Sequence, residues 1–412
     1  MSAERVLVVT STFPSAADDD VAGFVHDQVV ALAATRPSAA LRVLAPHDRA
    51  SGSRDHTEHP TFDEHRFRYA PRAWERLAGH GILPAIRRNP LAALLVPALM
   101  VGETAAIRRH VRAFQPDVVY AHWFTPQVIC ARLAVGRRVP IALTTHSNDL
   151  AVLARGGPLG RGVARWAMKG VARFSAVSNA TLERARRPFS PEEWAGIEPR
   201  GEILPMGVPA ELIAAPDAAS ADRASGTVLA IGRLVAKKGF HLAIEAVAAL
   251  APAHPELRLQ IAGTGPEEEN LRSLAASLGI ADRVSFLGFV SGAAKRETLA
   301  TADIVVIPSI VDGGDAEGLP VTLLEALAMG ALVVASGDSN AGEVVTDGVE
   351  ALLFPGGDVP ALVSTLRTAL TLDEASADAI RDDARVRAAS FSWDRLAPEY
   401  WRILDETVRQ QR

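Results

Sequence analysis

Short apolar runs alternate with longer stretches of helical periodicity along the whole 412-residue chain. "RVLVVT" (5–10), "LRVLAP" (41–46), "DVVYAHW" (117–123), "PIALTTH" (140–146), "RFSAVS" (173–178) and "GEILPM" (201–206) read as strands, with helical patterns between most of them. At 206–226 the periodicity is lost and Pro, Ala, Ser and Asp accumulate, the composition of a linker. The alternation restarts with "TVLAIGR" (227–233), "LRLQIAG" (257–263), "RVSFLGF" (283–289), "DIVVIPS" (303–309), "ALVVAS" (331–336) and "ALLFPG" (351–356). Strands separated by helices build parallel sheets, so the expected fold is α/β, with two doubly wound Rossmann-like domains at 1–205 and 227–390. The amphipathic, aromatic tail at 391–412 is expected to form a helix that packs back across the domain boundary. The longest apolar run, "LAALLVPALMVG" at 91–102, has 12 residues and a proline, short of the ~18 needed for a membrane span.

Charge divides along the same boundary. Residues 1–205 carry 26 Lys and Arg against 19 Asp and Glu, while 206–412 carry 17 against 29, giving formal charges of +7 and −12. Arginines crowd "RFRYAPRAWERLAGHGILPAIRR" (66–88) and "RGGPLGRGVARWAMKGVARF" (155–174), interleaved with Trp74 and Trp166. Such stretches are either solvated helix faces or surfaces that meet anionic lipid or an anionic acceptor. Overall negative charge and the lack of a recognised motif argue against nucleic acid. Cys130 is the only cysteine, and "MSAERVLVVT" reads as a first strand and not as a signal peptide, so the expected location is the cytoplasm, with peripheral contact on the inner face of the membrane. The histidines at 47, 56, 59 and 65 fall in a polar stretch without zinc-site spacing, and no metal or other cofactor is expected.

In doubly wound sheets ligands sit beyond the carboxyl ends of the strands. The loop after the first strand has one glycine, Gly23, and so lacks the G-x-G-x-x-G of a dinucleotide dehydrogenase. Gly23 either brings its backbone N–H to a phosphate at a helix N-terminus or merely permits a turn. In "AIGRLVAKKG", Arg233 and Lys238 follow a buried strand just before a helix; two cations beside amide donors suit a diphosphate, though a solvated turn has the same composition. "DAEGLPVTLLEALAMG" (315–330) holds Glu317 in a flexible loop above a helix of about 320–329, with Pro320 at its first position and Glu325 roughly 7.5 Å further along the axis. The N–H groups of residues 319 to 322 offer an anion site beside Glu317. This arrangement fits a nucleotide sugar, Glu325 taking ribose hydroxyls and Glu317 taking sugar hydroxyls near the anomeric carbon; a helix-dipole glutamate plus a surface glutamate is the bland alternative. "LTTHSND" places His146 and Asp149 at a strand end of the first half, aimed toward the Glu317 loop or simply structural.

These residues resemble the retaining, nucleotide-sugar-dependent glycosyltransferases of the GT-B fold, in the group 1, or glycogen-synthase-like, family. The resemblance rests on "ILPMGVP", "GRLVAKKG", "IAGTGPEEENLRSLAASLGIADRVSFLGFV", "EGLPVTLLEALAMGALVVAS" (the E-x7-E pattern) and "NAGEVVTDGVEALLFPGGD", in the family's order and spacing. It implies two domains facing across a cleft, with Arg233 and Lys238 on the donor diphosphate, Glu325 on the ribose, and Glu317 and His146 flanking the transferred sugar. It further implies that the backbone of Gly318, Leu319, Pro320 and Val321, and that of Gly23, complete the phosphate and acceptor side, with the loop after "SFLGF" touching the base. His146 and Asp149 are the acceptor-side candidates. The implied acceptor is a cell-surface glycan, lipid-linked or small molecule. The chain departs from the family in having only Gly23 after "DDD", Ala351 where glycine is common, and a longer "IVDGGDAEG" approach to the first glutamate. A nucleotide-sugar 2-epimerase, an exported sugar-binding module and a non-catalytic transferase-like partner subunit share parts of this pattern.

Overall fold

The computed structural model describes residues 2–14, 23–49, 54–78, 82, 85–86, 89–147, 149–214 and 223–410. The acidic "DDD" and much of the expected linker, 215–222, lie outside them. The chain divides into two compact units, Met1–Met206 with Asp394–Arg412, and Gly207–Trp393.

Unit 1 is built on an eight-stranded sheet of β1 (Arg5–Val9), β2 (Ala40–Pro46), β3 (His56–Glu58), β4 (Asp63–Phe67), β5 (Val118–His122), β6 (Ile141–Thr145), β7 (Val171–Ala176) and β8 (Gly201–Ile203), in the order β3-β4-β2-β1-β5-β6-β7-β8. All pairs are parallel except β3 with β4. β5 and β6 are buried along their full length, which is why they read as unbroken apolar runs. β3 and β4 correct the expectation of a polar loop at 47–65. They carry no apolar alternation because two buried positions of β4, beside the core residue Phe67, are an ion pair, Arg66 Nε to Glu64 Oε1 at 2.5 Å, with Arg66 Nη2 also donating to the Phe13 carbonyl at 2.8 Å.

The C-terminal helix, Trp393–Arg409, packs on unit 1. Trp401 donates from its indole nitrogen to the Leu32 carbonyl at 2.9 Å, Asp405 takes a two-pronged bond from Arg36 at 2.9 Å on each oxygen, and the Tyr400 hydroxyl donates to the Leu204 carbonyl at 3.0 Å. A helical stretch of 25 residues, Pro90–Phe114, is long and apolar enough to cross a membrane by length and composition, which no apolar run in the sequence reaches. Its Leu99, Ala106 and Ile107 belong to the core of unit 1.

Unit 2 carries a six-stranded parallel sheet of β9 (Ala224–Ile231), β10 (Arg258–Ala262), β11 (Val284–Gly288), β12 (Ala302–Ile307), β13 (Leu332–Ser336) and β14 (Leu352–Phe354), in the order β11-β10-β9-β12-β13-β14. β9 begins inside the stretch expected to be linker. The winding direction reverses between β9 and β12, and such a switch point leaves an open crevice at the strand ends.

Candidate active site

The β9/β12 switch point brings together most of the charged residues singled out in the second half. After β9 the chain passes through Arg233 into a 3-10 turn, Ala236–Lys238, and then Gly239, which caps the helix Phe240–Leu250. The Ile310 amide donates to the Lys237 carbonyl at 2.9 Å, tying this turn to the segment leaving β12. Gly239 has φ +66°, and a Cβ there would collide with the Pro308 carbonyl oxygen. Only glycine satisfies both demands. The two lysines are thereby held against the exit of β12.

The segment leaving β12 was expected to be flexible, but Asp312–Asp315 closes as a tight turn. The two aspartates exchange backbone hydrogen bonds of 2.9 and 2.7 Å, and Gly313 and Gly314 supply positive φ values of 53° and 78°. Asn340 then donates from its side-chain nitrogen to the carbonyls of Glu317 (2.8 Å) and Gly318 (2.9 Å), fixing the backbone there. The Glu317 carboxylate lies 3.3 Å from Lys238 Nζ and 3.9 Å from Lys237 Nζ; Lys237 also meets Asp315 at 3.4 Å. Burial pushes the Glu317 pKa up, but Lys238, Lys237 and Arg233 together outweigh it and hold the carboxyl down at about 2. It is an anion at any working pH. Burial lowers the Lys238 pKa, with Glu317 opposing the shift.

The helix beyond is Val321–Ala328 with Pro320 as its N-cap, one residue later than expected. Proline has no N–H, so the expected donor set of residues 319 to 322 reduces to Leu319, Val321 and Thr322. Glu325 is buried inside this helix, where its Oε1 accepts from Lys295 Nζ at 2.6 Å and its Oε2 has no hydrogen-bond partner among the described residues. Lys295, from the helix Gly292–Thr301, was not singled out from the sequence, and neither were Lys237 or Asn340. "AKKG" marks Lys237 as a second cation; nothing in the sequence pairs Lys295 with a glutamate 30 positions away.

In unit 1, His146 follows β6 and is buried. Its ring stacks on His122 at the end of β5, with centroids 5.3 Å apart and Nε2 3.1 Å from His122 Nδ1. Trp123 (4.8 Å) and Phe24 (5.1 Å) close around it. Burial holds His146 neutral, with a pKa of about 3, and lowers His122 as well. Asp149 accepts from the Phe124 amide at 2.6 Å and from Thr145 Oγ1 at 2.5 Å. It thereby clamps Trp123, which sits at φ +69°, a left-handed conformation that costs a non-glycine residue about 1–3 kcal/mol. Asp149 is a positioning residue in this arrangement. His122 and Trp123 were visible in "YAHW" but not as partners of His146, because only the β5–β6 pairing joins them. Gly23 is the N-cap of the helix Phe24–Thr35, and a Cβ there would meet nothing within 4 Å.

Two Rossmann-like sheets, parallel except for the β3–β4 pair, are the architecture of the GT-B fold class. Residues 217–386 match the model for glycosyl transferases group 1, and residues 6–199 match that for glycosyltransferase family 4. The chain is 32% identical over 327 residues to D-inositol 3-phosphate glycosyltransferase of Geodermatophilus obscurus, covering 73% of this chain and 69% of that one. The chain belongs to the group 1 glycosyltransferase family. It is also 34% identical over 163 residues to a putative colanic acid biosynthesis glycosyltransferase, WcaL, of Salmonella typhimurium; the match spans 39% of this chain and only 40% of the relative. Among solved structures, Anabaena HepE in complex with UDP and glucose superposes with a TM-score of 0.67 at 18% identity, over 97% of this chain and 98% of that one.

Proposed function

We propose that the protein transfers a sugar from a nucleoside-diphosphate donor to a hydroxyl acceptor in the synthesis of a surface glycan or a lipid-linked saccharide, with retained anomeric configuration. One observation carries the reading: at the β9/β12 exit Arg233, Lys237 and Lys238 gather around Glu317, while Glu325 keeps a buried carboxylate oxygen without a hydrogen-bond partner among the described residues. A buried acceptor left unsatisfied is costly and fits a site completed by a ligand. The glycosyltransferase activities of the relatives support sugar transfer, and UDP in the HepE complex supports a nucleotide-sugar donor.

In this reading the bond between the anomeric carbon and the diphosphate oxygen breaks as the acceptor oxygen attacks from the same face, and the acceptor's hydroxyl proton passes to an oxygen of the departing diphosphate. Negative charge grows on the departing diphosphate, and Arg233 with Lys238 stabilises it from fixed positions. The N–H groups of Leu319, Val321 and Thr322 and the backbone at Gly318 add donors at a helix N-terminus, and Gly23 leaves its backbone open to approach. Glu317, ionised and anchored by the lysines, takes sugar hydroxyls; Glu325 takes ribose hydroxyls through Oε2. Neutral His146 offers a ring nitrogen on the acceptor side, in an orientation set by His122. These cations neutralise the leaving group, so transfer requires no metal.

Thermal-shift titration with UDP, GDP and ADP tests the donor site. At least one is expected to raise the melting temperature of the wild type and not of Arg233→Ala; protection by none would sink the reading. Incubation with donor alone, followed by a search for an epimer, distinguishes transfer from 2-epimerisation.

We propose in addition that unit 1 rests on anionic lipid. Trp74, Leu91, Leu94, Val101, Leu159 and Trp166 are exposed on this unit, whose sequence carries the positive excess. Part of the basic stretch at 66–88 lies outside the described residues.

A further inference from the structure

The hairpin of β3 and β4 gathers histidines that the site above does not use. His56 and His65 face each other across the antiparallel pair, and their rings stack at 4.3 Å with 16° between planes. Asp63 lies two residues before His65 and therefore on the same face of β4. One ligand atom from each of His56, Asp63 and His65 falls within 4.8 Å of the others. Behind them His110, from the helix Val96–Phe114, leans on His65 at 4.6 Å between centroids. His110 is 6% exposed, and neither of its ring nitrogens nor His65 Nε2 has a hydrogen-bond partner among the described residues. Buried nitrogens left unpaired cost about 1–3 kcal/mol each and call for a ligand or a proton.

We propose that His56, Asp63 and His65 form a binding site for one divalent transition-metal ion of the zinc class. Two neutral imidazoles and a carboxylate are a borderline-soft donor set that zinc and its neighbours accept, with a fourth position left for water. Arg42 donates to Asp63 Oδ2 at 3.1 Å, leaving the second carboxylate oxygen as the ligand atom and acting as the outer-shell partner that such ligands commonly have. The surrounding charge is not acidic, since Arg42 and Arg109 face the cluster beside the single carboxylate. Magnesium and calcium, which depend on clustered oxygen charge, are therefore rejected, and nitrogen donors decide the affinity. The ion would pin an outer hairpin of the sheet that carries few apolar residues of its own. This inference does not depend on the transfer reaction.

The test uses the full-length, untagged chain, stripped of metal and titrated with Zn²⁺, Co²⁺, Mg²⁺ and Ca²⁺ by calorimetry and native mass spectrometry. One Zn²⁺ or Co²⁺ per chain is expected, with a raised melting temperature and a visible Co²⁺ absorption band. His56→Gln, at an exposed position, and His65→Gln are each expected to weaken binding by at least about tenfold. If His65→Gln fails to fold, His56→Gln alone decides. No ion on the wild type, equal binding by the variants, or equal binding of Mg²⁺ would overturn the proposal.

Discussion

Arg233 precedes and Lys238 ends a turn that closes only because Gly239 takes a left-handed conformation against Pro308. The two kinds of residue predict different failures. Arg233→Ala is expected to fold normally and lose roughly 10²- to 10³-fold in kcat, or about 3–4 kcal/mol of transition-state stabilisation, measured by product release with saturating donor. Gly239→Ala must push the turn away from β12; it is expected to lower the melting temperature and donor affinity together, whereas Gly23→Ala, with open space around its Cβ, leaves the melting temperature unchanged. Glu325→Gln keeps the shape but removes the charge that pairs with Lys295, so KM for the donor should rise more than kcat falls. The buried histidines set an acid limit. His146 titrates near 3 when folded and near 6.5 when unfolded. Between these values the unfolded chain binds the proton that the folded unit refuses, so the stabilisation is complete above about pH 6.5 and is lost on acidification by about 1.4 kcal/mol per pH unit for each such imidazole. Melting temperatures measured from pH 7.5 down to 5 should fall, and His146→Gln should flatten the slope.

Strands and helices were legible to different degrees. Strands buried on both faces, such as β5, β6 and β13, are continuous apolar runs and stood out at once. β3 and β4 did not, because their sequence, "HTE" and "DEHRF", satisfies the sheet with ion pairs and stacked histidines in place of apolar side chains. Pattern reading detects hydrophobic alternation, and a polar hairpin joined by long-range pairing carries none. Loop chemistry was half legible. "DGGD" signals a tight turn by composition, but its length suggested mobility, and only the reciprocal Asp312–Asp315 bonds show it closed. Buried charge was invisible to pattern altogether. Glu103, within the apolar helix Val96–Phe114, is raised to about 8 by burial, and neither of its carboxylate oxygens has a hydrogen-bond partner among the described residues. A raised carboxyl stabilises fully below about pH 4.5 and loses that contribution as pH rises toward 8. Glu103→Gln is therefore expected to abolish this alkaline loss in denaturant titrations at pH 5 and 8.

Across the whole molecule the charge is divided, with +7 over residues 1–205 and −12 over 206–412. Unit 1, with exposed Trp74, Leu91, Leu94 and Leu159 beside its arginines, is expected to float with anionic liposomes at low salt and to release as ionic strength rises, each basic residue near the surface contributing about 1 kcal/mol. Failure to float with anionic liposomes at low salt would remove the membrane from the account, and flotation that ignores salt and lipid charge would remove the arginines from it. Activity should persist in a chelator at temperatures below melting, since an ion at β3 and β4 supports an edge of the sheet and not the leaving group. The sequence by itself determined the α/β class, two Rossmann-like units, most strand positions, and the placing of Arg233 and Lys238 after one strand and of Glu317 and Glu325 in the loop and helix after another, because each follows from local periodicity or from spacing within one loop and helix. Tertiary structure alone decided that Lys295 holds Glu325, that Asn340 fixes the Glu317 backbone, that His122 orients His146, and that three histidines and an aspartate meet around one hairpin. Those pairings join residues tens of positions apart through strand register and helix packing, and a contact made by register leaves no periodic trace in either segment.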